Sequence, residues 1–219
     1  MLLDLYNTLL PGGNGGRAAT VRAMAADLGA APDAFGAEVV KSWVDRLTGV
    51  YGDLTTETAA LAAHVGAEPS PSGLAAAVER RFAFARAHVV PPPSTLTTLR
   101  DLRTAGWRLA IVSNCTFDSA AAIRAGALAT AVDALVLSCE VHLGKPDPAI
   151  YLAACSTLGV DATDCVYVGD GADRELAGAA ALGMRVIQTT QYADSDPGWP
   201  GERITSISSL VPLLADRGK

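Results

Sequence analysis

The chain opens MLLDLYNTLL, an apolar run that stops at a carboxylate, Asp4, with a hydroxyl, Thr8, four places on. Three later apolar runs end in the same way. WRLAIVS ends at Ser113 and is followed by Asn114; ALVLS leads through CEVHLG to Lys145; CVYVGD ends at Asp170, with Asp173 and Glu175 close behind. These residue types make a coherent chemistry. A carboxylate can attack as a nucleophile and form a covalent intermediate. A hydroxyl, a lysine and free backbone N–H groups can hold an anionic group and the charge that develops on it. A second cluster of carboxylates can hold magnesium through oxygen ligands, and Mg²⁺ between the nucleophile and a phosphate would offset the repulsion of two anions.

Such groups must be brought to one place, and the order of elements suggests how. MLLD reads as a very short strand, and PGGNGG at 11–16 as a flexible crossing. From Arg17 to about Val90 the chain reads as consecutive helices: RAATVRAMAADLGA, APDAFGAEVVKSWVDRL, TTETAALAAHVG and SPSGLAAAVERRFAFARAHV. VVPPPS at 89–94 cannot continue a helix and marks a stiff boundary. Beyond it, helices alternate with the buried-strand runs 107–113, 134–138, 165–170 and 184–189. That alternation predicts an α/β fold with a doubly wound parallel sheet covered on both faces. The predicted division is a Rossmann-like core from 1–12 and 90–219, with an all-helical insert at 13–89. In such a sheet ligands bind outside the carboxyl ends of the strands, where the polar residues fall.

Composition narrows the class. The 219 residues carry a net charge of -6, which argues against nucleic acid, since phosphate backbones need clustered Lys and Arg. No apolar run reaches the roughly 18 residues of a membrane span, and no secretory signal is visible. Cys115, Cys139, Cys155 and Cys165 form no CxxC pair and read as small buried thiols of a cytoplasmic protein. Three apolar residues are a short lead-in for a central strand, so the start of the chain is expected upstream or trimmed. Trp43 and Trp199 suit either an exposed contact or buried packing, which leaves both monomer and homodimer open.

Four segments, DLYNTL at 4–9, IVSN at 111–114, GKPDPAIY at 144–151 and VGDGADRELAGAAALGM at 168–184, together resemble the haloacid dehalogenase (HAD) superfamily in its own motif order. The helical insert resembles that family's first class of cap. The resemblance implies a hydrolase acting on a small anionic substrate. It makes Asp4 the nucleophile, Thr8 the residue that orders the first loop, Ser113 the binder of the transferring group, and Lys145 the partner of the Asp4 carboxylate. Asp170 becomes a metal ligand, with Asp173 or Glu175 supporting, and the backbone carbonyl of Tyr6 is expected to reach the metal. Cap closure would set substrate choice, with PGGNGG and VVPPPS as hinges, so proline at Gly12 and Gly13 is expected to impair turnover.

One position departs from the phosphatases of that family, which usually carry a second Asp two residues after the nucleophile to protonate the leaving alcohol. Here it is Tyr6, and a phenol with a pKa of about 10 is a poor base at neutral pH. The 2-haloacid dehalogenases are similar to this chain there, and their halide leaving group needs neither proton nor metal. The acidic cluster points the other way, because crowded carboxylates without a cation raise one another's pKa. Three readings are open: a Mg²⁺-dependent phosphatase of a small phosphorylated metabolite, a metal-independent 2-haloacid dehalogenase, and a catalytically silent HAD-like binding protein. Candidate substrate contacts are Arg46, which on a helix is more usually a solvated surface residue, His64 as a cap donor, and Tyr151.

Overall fold

The strand runs are short, apolar and buried, as a parallel sheet covered on both faces requires. The computed structural model describes residues 1–12 and 15–215. Among them are six strands: β1 (Leu2–Leu3), β2 (Ala110–Ser113), β3 (Ala134–Leu137), β4 (Val166–Gly169), β5 (Arg185–Thr189) and β6 (Glu202–Ile204). They form one sheet in the order β3-β2-β1-β4-β5-β6, with every pairing parallel. The chain order reverses at β1, which is the switch point where ligands bind in open α/β sheets. Strand β6 is an addition to the strands expected from the sequence. Its three residues lie on the sheet edge and are too short to show a period.

Between β1 and β2 run α1 (Arg17–Leu28), α2 (Pro32–Lys41), α3 (Trp43–Leu47), α4 (Leu54–His64), α5 (Pro71–His88) and α6 (Pro93–Thr104). After β2 come α7 (Phe117–Ala125), α8 (Leu128–Ala131), α9 (Ser138–Val141), α10 (Pro148–Leu158), α11 (Glu175–Ala180) and α12 (Leu210–Ala215). Start and stop residues act by type: Gly29 closes α1 and Gly159 closes α10, both with left-handed φ, while Ser70 and Asp147 cap α5 and α10 ahead of a proline. Two helical expectations are corrected. The run APDAFGAEVVKSWVDRL is two helices, α2 and α3, parted at Ser42, whose hydroxyl donates to Glu38 O at 2.7 Å. The run after Asp170 becomes an α-helix only at Glu175, because Asp173 and Arg174 both take left-handed φ, 54° and 57°.

Successive strand residues face opposite sides of the sheet. Leu2 packs with Val112, Tyr167, Ile150 and Leu176 on one face; Leu3 packs with Ile111, Val168, Leu99 and Ile123 on the other. The helices before α6 keep a third apolar cluster of their own around Met24, Leu28, Phe35 and Leu61. This insert meets the sheet layer along α5 and α7 and at α3 and α9. At the second seat Gly49 (φ 67°) lies so close to α9 that a Cβ would stand 1.9 Å from Cys139 O, and Thr48 O contacts His142 Nδ1 at 2.8 Å. In the crossing at 11–16, the Gly12 amide donates to Asn7 Oδ1 at 2.9 Å; Gly13 and Asn14 lie outside the described residues. All four cysteines are free and buried. No helix among the described residues is long and apolar enough to cross a membrane.

Candidate active site

The register pairs Leu3 with Ile111 of β2 and with Val168 of β4. Asp4, Ser113 and Asp170 therefore fall within one residue of the same level on three adjacent strands, at their carboxyl ends. Asp4 is buried, and its carboxylate is held at both oxygens. Lys145 Nζ donates to Oδ1 at 2.5 Å, and Thr8 Oγ1 donates to Oδ2 at 3.0 Å. The loop folds back through Leu9 and Leu10 amides donating to Leu5 O, which returns Thr8 to the carboxylate.

Lys145 is fixed from several sides. Its ammonium pairs with Glu175 as well as Asp4 and reaches Tyr167 OH at 3.3 Å. Its backbone is clamped by Asn114, which accepts from Lys145 N at 2.8 Å and donates to Lys145 O at 3.1 Å. Burial works against the ammonium, but the charges of Asp4 and Glu175 outweigh it and raise its pKa. Burial also pushes Asp4 up, against the pull of Lys145. Glu175 is pushed up to about 7, by burial first and then by the Asp4 charge.

Oxygens of Asp4, Asp170 and Glu175 lie within 4.8 Å of one another. Lys145 pairs with two of these three carboxylates and leaves Asp170 without an ion pair among the described residues, a local excess of negative charge that suits a cation with oxygen ligands. Their other partners divide the roles. Glu175 Oε1 accepts from Gly171 N at 3.1 Å and Oε2 from Tyr167 OH at 2.7 Å in addition to Lys145, so Glu175 is engaged as the partner of Lys145. Asp170 accepts one donor on each oxygen, Ala172 N at 3.1 Å and Ser195 Oγ at 2.6 Å, and keeps lone pairs on both. Asp173 lies outside that group: it is exposed at the cleft, where it accepts from Asn114 Nδ2 at 2.8 Å, and its backbone is left-handed.

Ser113 is 1% exposed and its hydroxyl has no partner among the described residues. A buried hydroxyl without a partner costs free energy, and an anionic oxygen arriving at the strand ends would supply the missing bond. Tyr6 does not aim its phenol at Asp4. Its OH donates to Ser119 Oγ at 2.9 Å, and burial pushes it up to about 12, so it stays protonated and is no base near neutral pH.

The folded chain gives each of the three candidate substrate contacts a partner of its own. Arg46 is neither a surface residue nor open to a ligand: it is 1% exposed, with Nε donating to Glu57 Oε1 at 3.0 Å and Nη1 to Val39 O at 2.9 Å. His64 pairs with Glu38 at 2.9 Å in a hollow lined by insert residues alone. Tyr151 is buried and donates its OH to Glu175 O at 3.0 Å, so it backs the glutamate from behind. A cleft of about 800 Å³ does run between the insert and the sheet, from Trp43, Val44 and Leu47 to Lys145, Asp173 and Arg174.

Three site residues are not evident from sequence pattern: Tyr167, Gln188 and Ser195. Tyr167 sits inside β4 and reads as core. Gln188 donates to Asp170 O at 2.9 Å from within β5. Ser195 lies six residues beyond β5 in a loop that folds back so closely that a Cβ on Gly171 would stand 2.5 Å from Asp196 Cβ. The one signal that points to this loop is its position, since it leaves the carboxyl end of β5 as the other site loops leave their strands.

With this geometry in hand, the likenesses to known proteins fall into place. The model of the haloacid dehalogenase-like hydrolases matches residues 1–183. The chain is 33% identical over 137 residues to a glyceraldehyde 3-phosphate phosphatase of Methanopyrus kandleri, a match covering 61% of this chain and only 58% of that relative's length. It is 30% identical over 186 residues to (S)-2-haloacid dehalogenase 4A of Burkholderia cepacia, covering 80% of this chain and 76% of the relative. The solved 2-haloacid dehalogenase of Pseudomonas syringae pv. Tomato DC3000 superposes with a TM-score of 0.75 at 26% identity, over 98% of this chain and 97% of that one.

Proposed function

The chain belongs to the haloacid dehalogenase-like hydrolases, and from that premise we propose that it is a Mg²⁺-dependent phosphohydrolase of small metabolites whose leaving group needs no proton, such as acyl phosphates. The observation that carries this reading is the charge balance at the strand ends, where oxygens of Asp4, Asp170 and Glu175 lie within 4.8 Å of one another and the Lys145 ammonium pairs with two of them. Asp4, Asp170 and the backbone carbonyl of Tyr6 would hold the ion. When bound, Mg²⁺ supplies Lewis-acid polarisation of a phosphoryl oxygen and neutralises its charge.

The chain's own residues supply the rest. The Ser113 hydroxyl, free of any partner, donates to a phosphoryl oxygen. Lys145, held by Glu175 and Asn114, favours the ionised form of Asp4 and orients it. Asp4 attacks phosphorus, the bond from phosphorus to the leaving oxygen breaks, and a carboxylate departs unprotonated. Water then cleaves the aspartyl phosphate, releasing inorganic phosphate and restoring Asp4. The insert, residues 13–89, acts as a cap over the core of 1–12 and 90–219 and excludes bulk water. His64 and Arg46, occupied by Glu38 and Glu57, are not given roles in the chemistry.

Tyr6 supports a second reading, a metal-independent 2-haloacid dehalogenase in which Asp4 displaces halide and forms an ester. Neither a second carboxylate nor an ionisable group of ordinary pKa stands at that position. One set of assays separates the two. Acetyl phosphate and p-nitrophenyl phosphate are offered with Mg²⁺ and with EDTA, and L-2-chloropropionate with EDTA. Phosphate release from acetyl phosphate that requires Mg²⁺ and exceeds release from the ester is the expected result. Halide release in EDTA, with no phosphate release in either buffer, would replace it with the second reading.

A further inference from the structure

A buried cluster that the mechanism does not use lies where the cap meets the core. Arg81 of α5, in the cap, forks onto Asp118 of α7, in the core: Nε donates to Oδ2 at 2.9 Å and Nη2 to Oδ1 at 3.0 Å. Thr116 completes the turn, donating its hydroxyl to Asp118 Oδ1 at 2.5 Å and accepting from Arg81 Nη2 at 3.4 Å. Arg81, Thr116 and Asp118 are all buried. Burial alone would raise the Asp118 carboxyl, but the Arg81 charge and its hydrogen bonds hold it below the ordinary range.

The next residue along the same turn faces elsewhere. Ser119 Oγ accepts from the Tyr6 phenol at 2.9 Å, two residues from the nucleophile. Successive residues on a helix point about 100° apart, so one turn can hold the cap with one side chain and the Asp4 loop with its neighbour. A two-point guanidinium–carboxylate pair fixes direction as well as distance. Tyr6 and Phe82, the residue after Arg81, also pack on the same core cluster. Cap, α7 and nucleophile loop are therefore joined by two consecutive side chains.

We propose that Asp118 and Ser119 are positioning residues that make the seating of the cap, through Arg81, set the position of the Asp4 loop, through Tyr6. In this arrangement the Tyr6 hydroxyl is a tether and carries no proton in the reaction. The inference goes beyond the phosphohydrolase reading and holds for either leaving group. A cap seated correctly presents Asp4 in register with Ser113 and Lys145, and a cap displaced at Arg81 lets that loop relax.

The test combines hydrogen–deuterium exchange with kinetics on R81K, S119A, S119T, Y6F and the pairwise combinations. R81K keeps the charge but loses the fork, and S119A, S119T and Y6F are small changes that preserve the fold. The amides of Leu9 and Leu10, which donate to Leu5 O, report the loop without any need for turnover. Expected results are about tenfold faster exchange there in R81K and no further increase when R81K is added to S119A. On whichever substrate is turned over, kcat should fall about three- to tenfold with KM and the pH profile unmoved. S119T should restore wild-type behaviour, and Y6F and S119A should be equal and non-additive. Faster exchange confined to α5, multiplying effects of R81K and S119A, S119T behaving as S119A, or a displaced limb of the pH profile in Y6F would each overturn the proposal. Should R81K fail to fold, the Y6F–S119A pair and S119T still decide it.

Discussion

Lys145 Nζ stands 2.5 Å from Asp4 Oδ1 while the same ammonium also pairs with Glu175, so one cation serves two buried carboxylates. Removing it leaves both anions without their partner. Lys145→Met is expected to abolish turnover and to destabilise the fold by about 3–5 kcal/mol at mildly alkaline pH. Urea unfolding compared with wild type measures this; a loss below about 1 kcal/mol would show that the pair is not the buried ionic contact described.

Glu175 gives the site a pH signature. Its carboxyl stands at about 7 in the folded chain, against an ordinary 4.5, so the folded state binds the proton more tightly. The resulting stability is fully present below about 4.5 and is lost as pH rises through about 7. In EDTA, the stability difference between wild type and Glu175→Gln should therefore be larger near pH 5 than near pH 8, by about 1–3 kcal/mol. A difference that does not change with pH would sink the assignment.

Ser113 should trade function against stability. Its buried hydroxyl has no partner, so Ser113→Ala is expected to be neutral to about 1 kcal/mol stabilising. The same change removes a donor to the transferring group and should lower kcat/KM about 10²-fold. Thermal unfolding and steady-state kinetics on one preparation test both halves, and a destabilised variant with normal kinetics would mean the hydroxyl serves packing.

Gly49 tests the other seat of the cap. With φ at 67° and Cys139 O only 1.9 Å from a built Cβ, Gly49→Ala must lift α3 from α9. Turnover should fall several-fold and the Thr48–His142 contact should be lost, observable as displaced His142 ring signals by NMR. Wild-type kinetics would show that this seat does not govern closure.

Much of the site is legible in the sequence because a parallel sheet imposes a simple rule. Buried strands are apolar runs of a few residues, and the residues just past each run lie at the ligand-binding edge. Asp4, Ser113, Lys145 and Asp170 are found that way, and so is the helical block between β1 and β2. Spacing along the chain also determines that Asp4 is followed by a tyrosine where a second carboxylate would stand.

Spacing does not determine where long side chains turn. Arg46, His64 and Tyr151 are candidates by type alone; the folded chain gives them Glu57, Glu38 and the Glu175 backbone as partners. Asp173 and Glu175 are two residues apart, yet left-handed backbone at Asp173 and Arg174 sends one outward and leaves the other buried on Lys145. Ser195 meets Asp170 from 25 residues away, and Tyr6 meets Ser119 from 113 away. The sequence by itself determined which strand ends carry polar side chains, since that depends on local pattern. Only the tertiary structure decided which polar atoms find partners, since a buried donor or acceptor is satisfied by whatever the packed chain brings within about 3 Å.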